Sequence, residues 1–268
     1  MTTITAKVIA DSVAANTAIR LTTLELRYPR FIHSEFMTHR VFSRNAGSSR
    51  AIPTKRLLAS IVGDMAEPVH WGKNQPGMQA REELSGWRLT AARLLWRVSG
   101  RAMCIAAGWM AALGGHKQIV NRMVEPWSHI TVVVSSTEWA NFMLLRDHPD
   151  ADPTIQVLAV AIKLAMETSD PRLLHEGDWH LPYIQDAYKD RSGVEARQIS
   201  AARCARTSYV THDGLLPLHK DDLGLFQKLA VAWPPHLSPV EHQATPSGDT
   251  EFHANFRGWV QFRKEIEA

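Results

Sequence analysis

The segment 21–29 restricts the fold more than any other part of the chain. Apolar residues such as Leu24 and Leu26 alternate there with polar or charged ones, and Pro29 ends the alternation. A period of two is typical of a β-strand that turns one face to the core. The segment therefore excludes an all-helical fold, and we expect β-structure over residues 6–36.

Helical patterns cover much of the remaining chain. Apolar residues recur every three or four positions over residues 79–113, which predicts one long helix. Ser135 and Glu138 have the spacing of a capping box and predict that a helix begins there. Asp152 and Pro153 suit the N-cap and the first turn of another helix.

The order of these elements predicts the fold class. Further helices are expected near residues 195–207 and 221–233, whereas residues 169–193 have the composition of a loop. Strands and helices do not follow the regular rhythm of βαβ units. We therefore predict a single α/β (α+β) domain over residues 1–268, with a mixed or antiparallel sheet and flanking helices.

Charge and hydropathy exclude several classes of protein. The formal net charge of +3 permits an anionic small molecule but is mild for a nucleic-acid-binding surface. No stretch approaches the roughly 20 apolar residues that a membrane helix needs, and the N-terminus lacks a secretory pattern. Only two cysteines occur, so a disulfide framework is not expected. These features predict a cytoplasmic protein with neither membrane nor nucleic acid as a partner.

Neither metal nor thiol chemistry is favoured by the sequence. His175 and His180 flank two acidic residues, but their spacing matches no specific set of metal ligands, so no metal is expected. Cys104 lies in an apolar helical context that is typical of a core residue. Cys204 has two arginines nearby, which leaves an activated thiol as the alternative to a structural role.

The stretch 38–50 is the most informative for function. It contains three arginines, a histidine, an asparagine and three serines, and it ends in small residues. Small residues let backbone N–H groups approach a phosphate, and arginine supplies a planar set of donors. The stretch therefore predicts a phosphate site, with a solvated basic loop as the alternative. No GxGxxG or Walker-type loop is present, so a nucleotide cofactor must be held in another way.

Three segments before residue 150 resemble motifs of the flavin-dependent thymidylate synthases, the ThyX family. The family signature is Arg-His-Arg, seven residues, Ser, any residue and then Arg. Here threonine replaces the first arginine, and the positions that correspond to the signature are Thr38, His39, Arg40, Ser48 and Arg50. Residues 122–126 resemble the family's Arg-Ile-Val-Leu-Pro, and residues 141–146 resemble its Asn-Phe-Leu-x-Leu-Arg.

Two more segments resemble ThyX motifs but stand in a different place. Residues 205–209 resemble the family's Ala-Arg-Val-Ser-Phe, and residues 236–242 resemble its His-x-Thr-Pro-Phe-Glu-His. In the family both precede the arginine signature, whereas here they follow all the other segments. The resemblance implies a circularly permuted member in which residues 195–268 match the family's N-terminal part. Permutation is tolerated where the chain termini lie close together at the surface.

The resemblance also implies a reaction and a set of site residues. The reaction converts dUMP to dTMP, with methylenetetrahydrofolate as carbon donor and NADPH-reduced FAD as hydride source, in a homo-oligomer expected to be a tetramer. The implied catalytic residues are Arg146, which would stabilise negative charge on the uracil ring, His39 and Ser48. The implied FAD contacts are His39, Arg40, Asn45, Asn141, Ser208, His236, Ser238 and Glu241. The implied dUMP contacts are Ser48, Ser49, Arg50, Arg122 and Arg146.

Departures from the family pattern leave other functions open. Thr38 removes a cation from the flavin side, and we expect Arg263 to return near Thr38 and supply it. Loop 68–77, which contains Trp71, is either a cover over folate or nucleotide or a structural insertion. The alternative functions are a flavin- and folate-dependent pyrimidine nucleotide hydroxymethylase and a non-catalytic nucleotide-binding homologue. The other departures are at Ala46, Ala51, Asp150 and Asp152.

Overall fold

A five-stranded sheet lies at the centre of the computed structural model, which describes residues 3–184, 193–206 and 218–268. Its strands are β1 (Thr5–Ala14), β2 (Arg20–Pro29), β3 (Ser43–Ala46), β4 (His129–Ser136) and β5 (Arg172–Leu174). They are arranged in the order β3-β4-β2-β1-β5. Neighbouring strands are antiparallel except β1 and β5, which are parallel. The predicted α/β fold with a mixed sheet and flanking helices is confirmed.

Helices and short strands surround this sheet. The α-helices of the described residues are α1 (His33–Phe36), α2 (Thr54–Gly63), α3 (Gly86–Ala112), α4 (Lys117–Val120), α5 (Ala140–Arg146), α6 (Pro153–Glu167), α7 (Val194–Ala205), α8 (His219–Phe226) and α9 (Arg263–Glu267). The described residues also form three 3₁₀ segments, Arg30–Ile32, Asn121–Trp127 and Ser238–Glu241, and a π-helical segment, Gln227–Val231. Two small antiparallel sheets contain β6 (Ala244–Pro246) with β9 (Trp259–Gln261), and β7 (Phe252–His253) with β8 (Phe256–Arg257). Among the described helices, none combines the length and the apolar character needed to cross a membrane.

The main hydrophobic core packs α6 against one face of the sheet. Leu24 pairs with Val134 and Leu26 with Val132 across β2 and β4, and all four side chains are fully buried. They belong to the same core cluster as Ile155 of α6. Each such side chain stabilises the fold by about 1.5–3 kcal/mol. The alternation read in segment 21–29 thus corresponds to a strand buried at the centre of the sheet.

The opposite face of β2 and β4 carries a buried polar seam of five side chains. Ser12 Oγ and Thr23 Oγ1 each lie 2.8 Å from one ring nitrogen of His180. Thr23 Oγ1 lies 2.6 Å from Ser135 Oγ, which in turn lies 2.8 Å from Nδ1 of His242. The seam joins β1, β2 and β4 to His180, which precedes α7, and to His242, which follows the 3₁₀ segment Ser238–Glu241. It therefore holds the C-terminal part on the sheet by hydrogen bonds as well as by apolar packing.

The predicted capping box at Ser135 and Glu138 is wrong. Ser135 lies in β4 and uses its hydroxyl in the polar seam, so it is unable to cap a helix. The α5 helix begins only at Ala140, and no side chain caps its N-terminus. The other predicted cap is confirmed, because Asp152 Oδ1 accepts hydrogen bonds from the backbone N–H groups at the start of α6.

Two predicted element boundaries are also wrong. The long helix begins at Gly86 instead of residue 79, because the preceding segment pairs with the loop before it. The N–H of Lys73 donates to the carbonyl of Glu82 at 2.7 Å, which removes residues 79–83 from the helix. The β-structure predicted as far as residue 36 ends at Pro29, and the chain continues as a 3₁₀ turn and α1.

We predict that mild acid destabilises the fold through its buried histidines. Burial lowers the pKa of His242 to about 3, so the folded state keeps the ring neutral. The unfolded chain binds a proton near pH 6.5, and the contribution of neutral His242 is therefore complete above that pH and lost as the pH falls below it. Between pH 7 and pH 5.5 we expect this residue to lower the free energy of unfolding in urea by about 1 kcal/mol. His33 and His129, with pKa values lowered to about 4, add to the same trend.

The His242→Gln variant is the control for this titration. It removes the titrating ring, so its free energy of unfolding should fall less steeply over the same pH range, whatever its stability at pH 7. An equal pH dependence in the two proteins would show that His242 is not held neutral by the fold.

Candidate functional site

The candidate site is built on the turn that joins α1 to β3. His39 lies in this turn, and its side chain is only 6% exposed. The ring stacks on Phe42 at a centroid distance of 5.8 Å and meets the edge of Phe142 at 4.9 Å. Phe36, at the end of α1, packs against the same two rings. The sequence therefore places a polar ring inside an aromatic cluster, which fixes its orientation.

Arg146 meets His39 at this turn. The residue ends α5, and its Nε donates a hydrogen bond to His39 Nε2 at 3.1 Å. Its Nη2 also donates to Thr38 Oγ1 at 3.2 Å, and its Nη1 lies 3.6 Å from a carboxylate oxygen of Glu35. Arg146 and His39 are 107 positions apart, and two different motifs assigned them to the site. The structure brings these two predicted catalytic residues into direct contact.

The contact determines the protonation state of His39. Arginine donates from Nε, so Nε2 of His39 accepts and the single imidazole proton resides on Nδ1. Burial, together with the nearby guanidinium groups of Arg146 and Arg44, lowers the pKa of His39 below its ordinary value. Burial and Asp152 raise the pKa of Glu35, although Arg146 opposes this shift. The site thus contains a neutral imidazole between two cations.

A second group of predicted residues lies on the loop after β3. Ser49 Oγ donates to Glu125 Oε1 at 2.5 Å, and Asn121 Nδ2 donates to the carbonyl of Ser49 at 2.7 Å. These bonds attach the loop to the 3₁₀ segment 121–127. Arg50 and Arg122, the neighbours of Ser49 and Asn121, are both exposed in this region. The structure therefore brings two of the predicted phosphate-binding arginines to the same surface.

Ser48 is the third predicted catalytic residue, and it begins this loop. Its side chain is partly buried, and its carbonyl accepts a hydrogen bond from the N–H of Ala51 at 3.0 Å. The resulting turn presents Ser48, Ser49 and Arg50 as consecutive residues next to the end of β3.

A third group connects β3 to the C-terminal part of the chain. Asn45 Nδ2 donates to the carbonyl of Cys204 at 3.1 Å, and Asn45 Oδ1 accepts from Ser238 Oγ at 2.7 Å. Glu241 Oε1 accepts from Arg263 Nη1 at 2.6 Å. The resemblance assigned Asn45, Ser238 and Glu241 to the FAD site, and the structure brings the first two into contact. Ser208, assigned to the same site, lies outside the described residues.

A cavity of about 290 Å³ lies beside Glu241. Arg263 and Lys264 line it together with the amide side chains of Asn255 and Gln261. The carboxylates of Glu241 and Glu267 line the cavity as well, so its lining carries both charges. Arg263 was expected to supply a cation near Thr38, but it pairs with Glu241 and with Glu267 instead. The guanidinium that reaches Thr38 is that of Arg146.

The remaining predicted residues are on the surface. These residues are Arg40, Asn141 and His236, and their side chains make no hydrogen bond with another described residue. Sequence reasoning missed three residues that hold the site: Glu35 on Arg146, Asn121 on the loop after β3, and Arg44 under the turn. Arg44 was visible within the stretch 38–50, but only the strand geometry shows which way it points.

A cavity of about 280 Å³ lies behind the same loop, between α2 and the ends of β2 and β4. Arg27, Arg30 and Arg56 line it, together with one carboxylate, that of Asp64. Arg30 Nη2 donates to the carbonyl of Gly47 at 3.0 Å and thereby supports the residue before Ser48. The surroundings of the loop are therefore cationic on its inner side as well.

Comparison with known proteins gives similarity of fold. No family model and no curated protein sequence matches the chain. The solved structures that resemble it include a UMP/dUMP methylase PolB from Streptomyces cacaoi bound with 5-Br dUMP, at 12% identity and a TM-score of 0.50, over 62% of this chain and 90% of that chain. The same protein bound with 5-Br UMP gives 13% identity and a TM-score of 0.49, over 62% and 89%. At this identity the likeness establishes a shared fold.

We predict that His39 titrates below its ordinary pH range and that Arg146 is one cause. In the Arg146→Met variant, the pKa of His39 should rise, because one of the cations that disfavour the imidazolium is removed. Two-dimensional NMR of the imidazole nitrogens measures this shift, with His39→Gln used to assign the signal among 13 histidines.

Arg257→Met is a matched control, since Arg257 pairs with Glu138 and makes no bond to the turn. It should leave the His39 titration unchanged. A wild-type pKa at or above 6.5 would contradict the buried, neutral state inferred for His39.

Proposed function

We propose that this chain is a flavin-dependent thymidylate synthase, which converts dUMP to dTMP with methylenetetrahydrofolate as carbon donor and NADPH-reduced FAD as hydride source. The observation that carries the proposal is the hydrogen bond between Arg146 and His39. The two residues come from separate ThyX-like motifs, and a chance resemblance gives no reason for them to meet. The shared fold with a protein described as a UMP/dUMP methylase supports the same class of substrate.

Arg146 has the surroundings of a group that stabilises charge on a substrate ring. Its side chain is 19% exposed, and Glu35 and His39 hold the guanidinium in one orientation. A neutral His39 adds no charge of its own, and Glu35 lies 3.6 Å from Nη1, so Arg146 keeps part of its positive charge for negative charge that develops on uracil. Its position is fixed before the substrate binds, so little reorganisation is needed during the reaction.

The loop after β3 is the proposed binding site of the nucleotide phosphate. Arg50 and Arg122 supply guanidinium donors from two segments that Asn121 and Ser49 hold together. The hydroxyl of Ser48 and the backbone N–H groups of the turn add neutral donors. The turn that contains His39 leads into the start of β3, so a ligand with its phosphate on the loop after β3 would extend its base along this four-residue strand toward His39.

The residues on the other side of β3 suit the flavin. Asn45 and Ser238 offer an amide and a hydroxyl, and Arg263 and Lys264 offer cations to the phosphates of a dinucleotide. When bound, FAD would supply the hydride that reduces the transferred carbon to a methyl group. Glu241 holds Arg263 in place by a 2.6 Å ion pair and thereby limits the positions open to that cation.

Two other functions and one other substrate remain as alternatives. Thr38, Ala46 and Ala51 depart from the ThyX pattern, which favours a hydroxymethylase as the second enzyme candidate. The related fold belongs to a protein named for both UMP and dUMP, so the ribonucleotide is a second candidate substrate. A non-catalytic nucleotide-binding homologue is the third candidate, and loss of flavin binding is the property that separates it from the enzymes.

We also propose a homo-oligomer, a tetramer by resemblance, that covers the outer face of α3. Six large apolar side chains of this helix, and that of Leu113 directly after it, are each more than half exposed. Their spacing places them within about 100° of one helix face, which is the width of a core-facing stripe. Such a face is costly in water, and a second copy of the chain is its proposed partner. The residues are Trp87, Leu94, Leu95, Val98, Ile105, Trp109 and Leu113.

We predict that the purified protein binds FAD, that dUMP shifts the flavin absorbance bands, and that turnover yields a methylated nucleotide. The assay contains NADPH and methylenetetrahydrofolate, with dUMP and UMP tested separately, and mass spectrometry of the product. A hydroxymethyl product would favour the second enzyme candidate. Absence of flavin binding under all conditions would refute both enzyme candidates.

Arg146→Met tests the assigned catalytic role. The turnover rate should fall by about 100-fold or more, because a fixed cation at the reacting ring is lost. Binding of FAD to the separate group around Asn45 should change little. Arg257→Met again serves as the control, and equal turnover in the wild type and Arg146→Met would contradict the role.

We predict that light scattering after size exclusion gives a mass of more than one chain, and that Leu95→Glu with Trp109→Glu produces monomers. Two carboxylates in the apolar face oppose burial against a second copy. Phe252→Glu is the control, since Phe252 is 55% exposed on β7, away from α3. A monomeric wild-type protein would refute the proposed assembly.

A further inference from the structure

Arg44 makes an unusual set of contacts under the turn that carries His39. A single atom, Nη1, lies 3.1 Å from the carbonyl oxygens of both Met37 and His39, and 3.4 Å from that of Phe36. The guanidinium therefore donates to the backbone carbonyls of three of the four residues 36–39. No other side chain in the described part of the chain is shown with three backbone acceptors on one nitrogen.

Strand geometry explains why Arg44 reaches the turn. Successive side chains of a strand point to opposite faces of the sheet. Ser43 accepts a hydrogen bond from Gln261, and Asn45 bonds to Ser238, so both face the C-terminal part of the chain. Arg44 lies between them, paired with Val134 in the sheet register, and points to the other face. That face contains α1 and the aromatic cluster around His39.

The two backbone hydrogen bonds at His39 are long, whereas the N–H groups of Met37 and Thr38 donate at 3.0 and 3.1 Å to the carbonyls of His33 and Glu35. The N–H of His39 donates to Phe36 at 3.4 Å, and the N–H of Phe42 donates to His39 at 3.3 Å. Burial lowers the pKa of Arg44, which shows that the cation is partly removed from water. Three carbonyl acceptors offset that cost, and an apolar side chain of similar length would leave them without these bonds.

The turn is consequently held between two guanidinium groups. Arg146 binds the side chains of Thr38 and His39 from the α5 side, whereas Arg44 binds the backbone from the β3 side. The signature arginine that Thr38 lacks would have placed a cation in the same turn. Arg44 provides one from six positions further along the chain.

We propose that Arg44 is a positioning residue that fixes His39 against Arg146 in the reaction proposed above. It does not touch the substrate ring or the flavin in this role. It acts through the backbone of the turn, which sets the direction of the His39 ring and thereby the orientation of the Arg146 guanidinium. The proposal rests on the proposed function for its effect on turnover, but not for its effect on the His39–Arg146 contact.

The test compares Arg44→Lys, Arg44→Met and wild type, with Arg20→Met as a matched structural control. Arg20 likewise donates to a backbone carbonyl, that of Met166, in addition to its carboxylate partner Asp11, and it lies outside the site. For each variant we would record the melting temperature, the nitrogen chemical shift of His39 Nε2, and the turnover of dUMP well below the melting temperature.

We expect Arg44→Met to shift the Nε2 signal and to lower turnover at least tenfold, with KM for dUMP changed much less. Arg44→Lys keeps the charge and several donors, so it should recover turnover to within about threefold of wild type. Arg20→Met should lower the melting temperature without moving the Nε2 signal or reducing turnover.

If Arg44→Met lowers only the melting temperature and leaves the Nε2 signal unchanged, Arg44 is a structural residue and the proposal is refuted. If the Nε2 signal shifts in Arg44→Met alone while even the wild type shows no turnover, the positioning of His39 stands and the proposed function fails. The two failures therefore give different results.

Discussion

The pairing of β3 with β4 is the constraint on which the rest of the site depends. Four residues form this strand, and their alternation sends neighbouring side chains to opposite faces of the sheet. Arg44 supports the turn that carries His39, while Asn45 and Ser43 bind the C-terminal part of the chain. A shift of one residue in the β3 register would exchange these faces and separate all three groups of site residues. The strand is short, yet it sets the geometry of the whole site.

Guanidinium groups dominate the site, and the chain offsets their desolvation with backbone carbonyls as well as carboxylates. Arg44 and Arg30 both have pKa values lowered by burial, and both donate to main-chain oxygens. Carbonyl partners hold an arginine in position but leave most of its charge in place. At Arg44 and Arg30 this arrangement leaves positive potential that the carboxylate partners of Arg146 and Arg263 partly cancel elsewhere in the site.

The sequence predicted the fold class, and the structure brings several of the residues named from the resemblance together, for different physical reasons. The alternation in segment 21–29 reflects the burial of β2, so it identified the strand directly. The encounter of Arg146 with His39 was implied only by the resemblance, because no local pattern connects residues so far apart. The capping box at Ser135 failed because a buried hydroxyl partner overrode the local spacing. Arg44 was missed because its role depends on strand direction, which spacing alone does not give.

The hydrogen bonds of the polar seam beneath the sheet have a common donor-to-acceptor direction. His242 Nε2 is buried without a partner in the described part of the chain, and a bare lone pair there is less costly than an unpaired N–H. His242 therefore donates from Nδ1 to Ser135, which donates to Thr23, and Thr23 donates to His180. His180 in turn donates to Ser12. The four hydrogen bonds of the series therefore all run in one direction, from His242 toward Ser12 on β1.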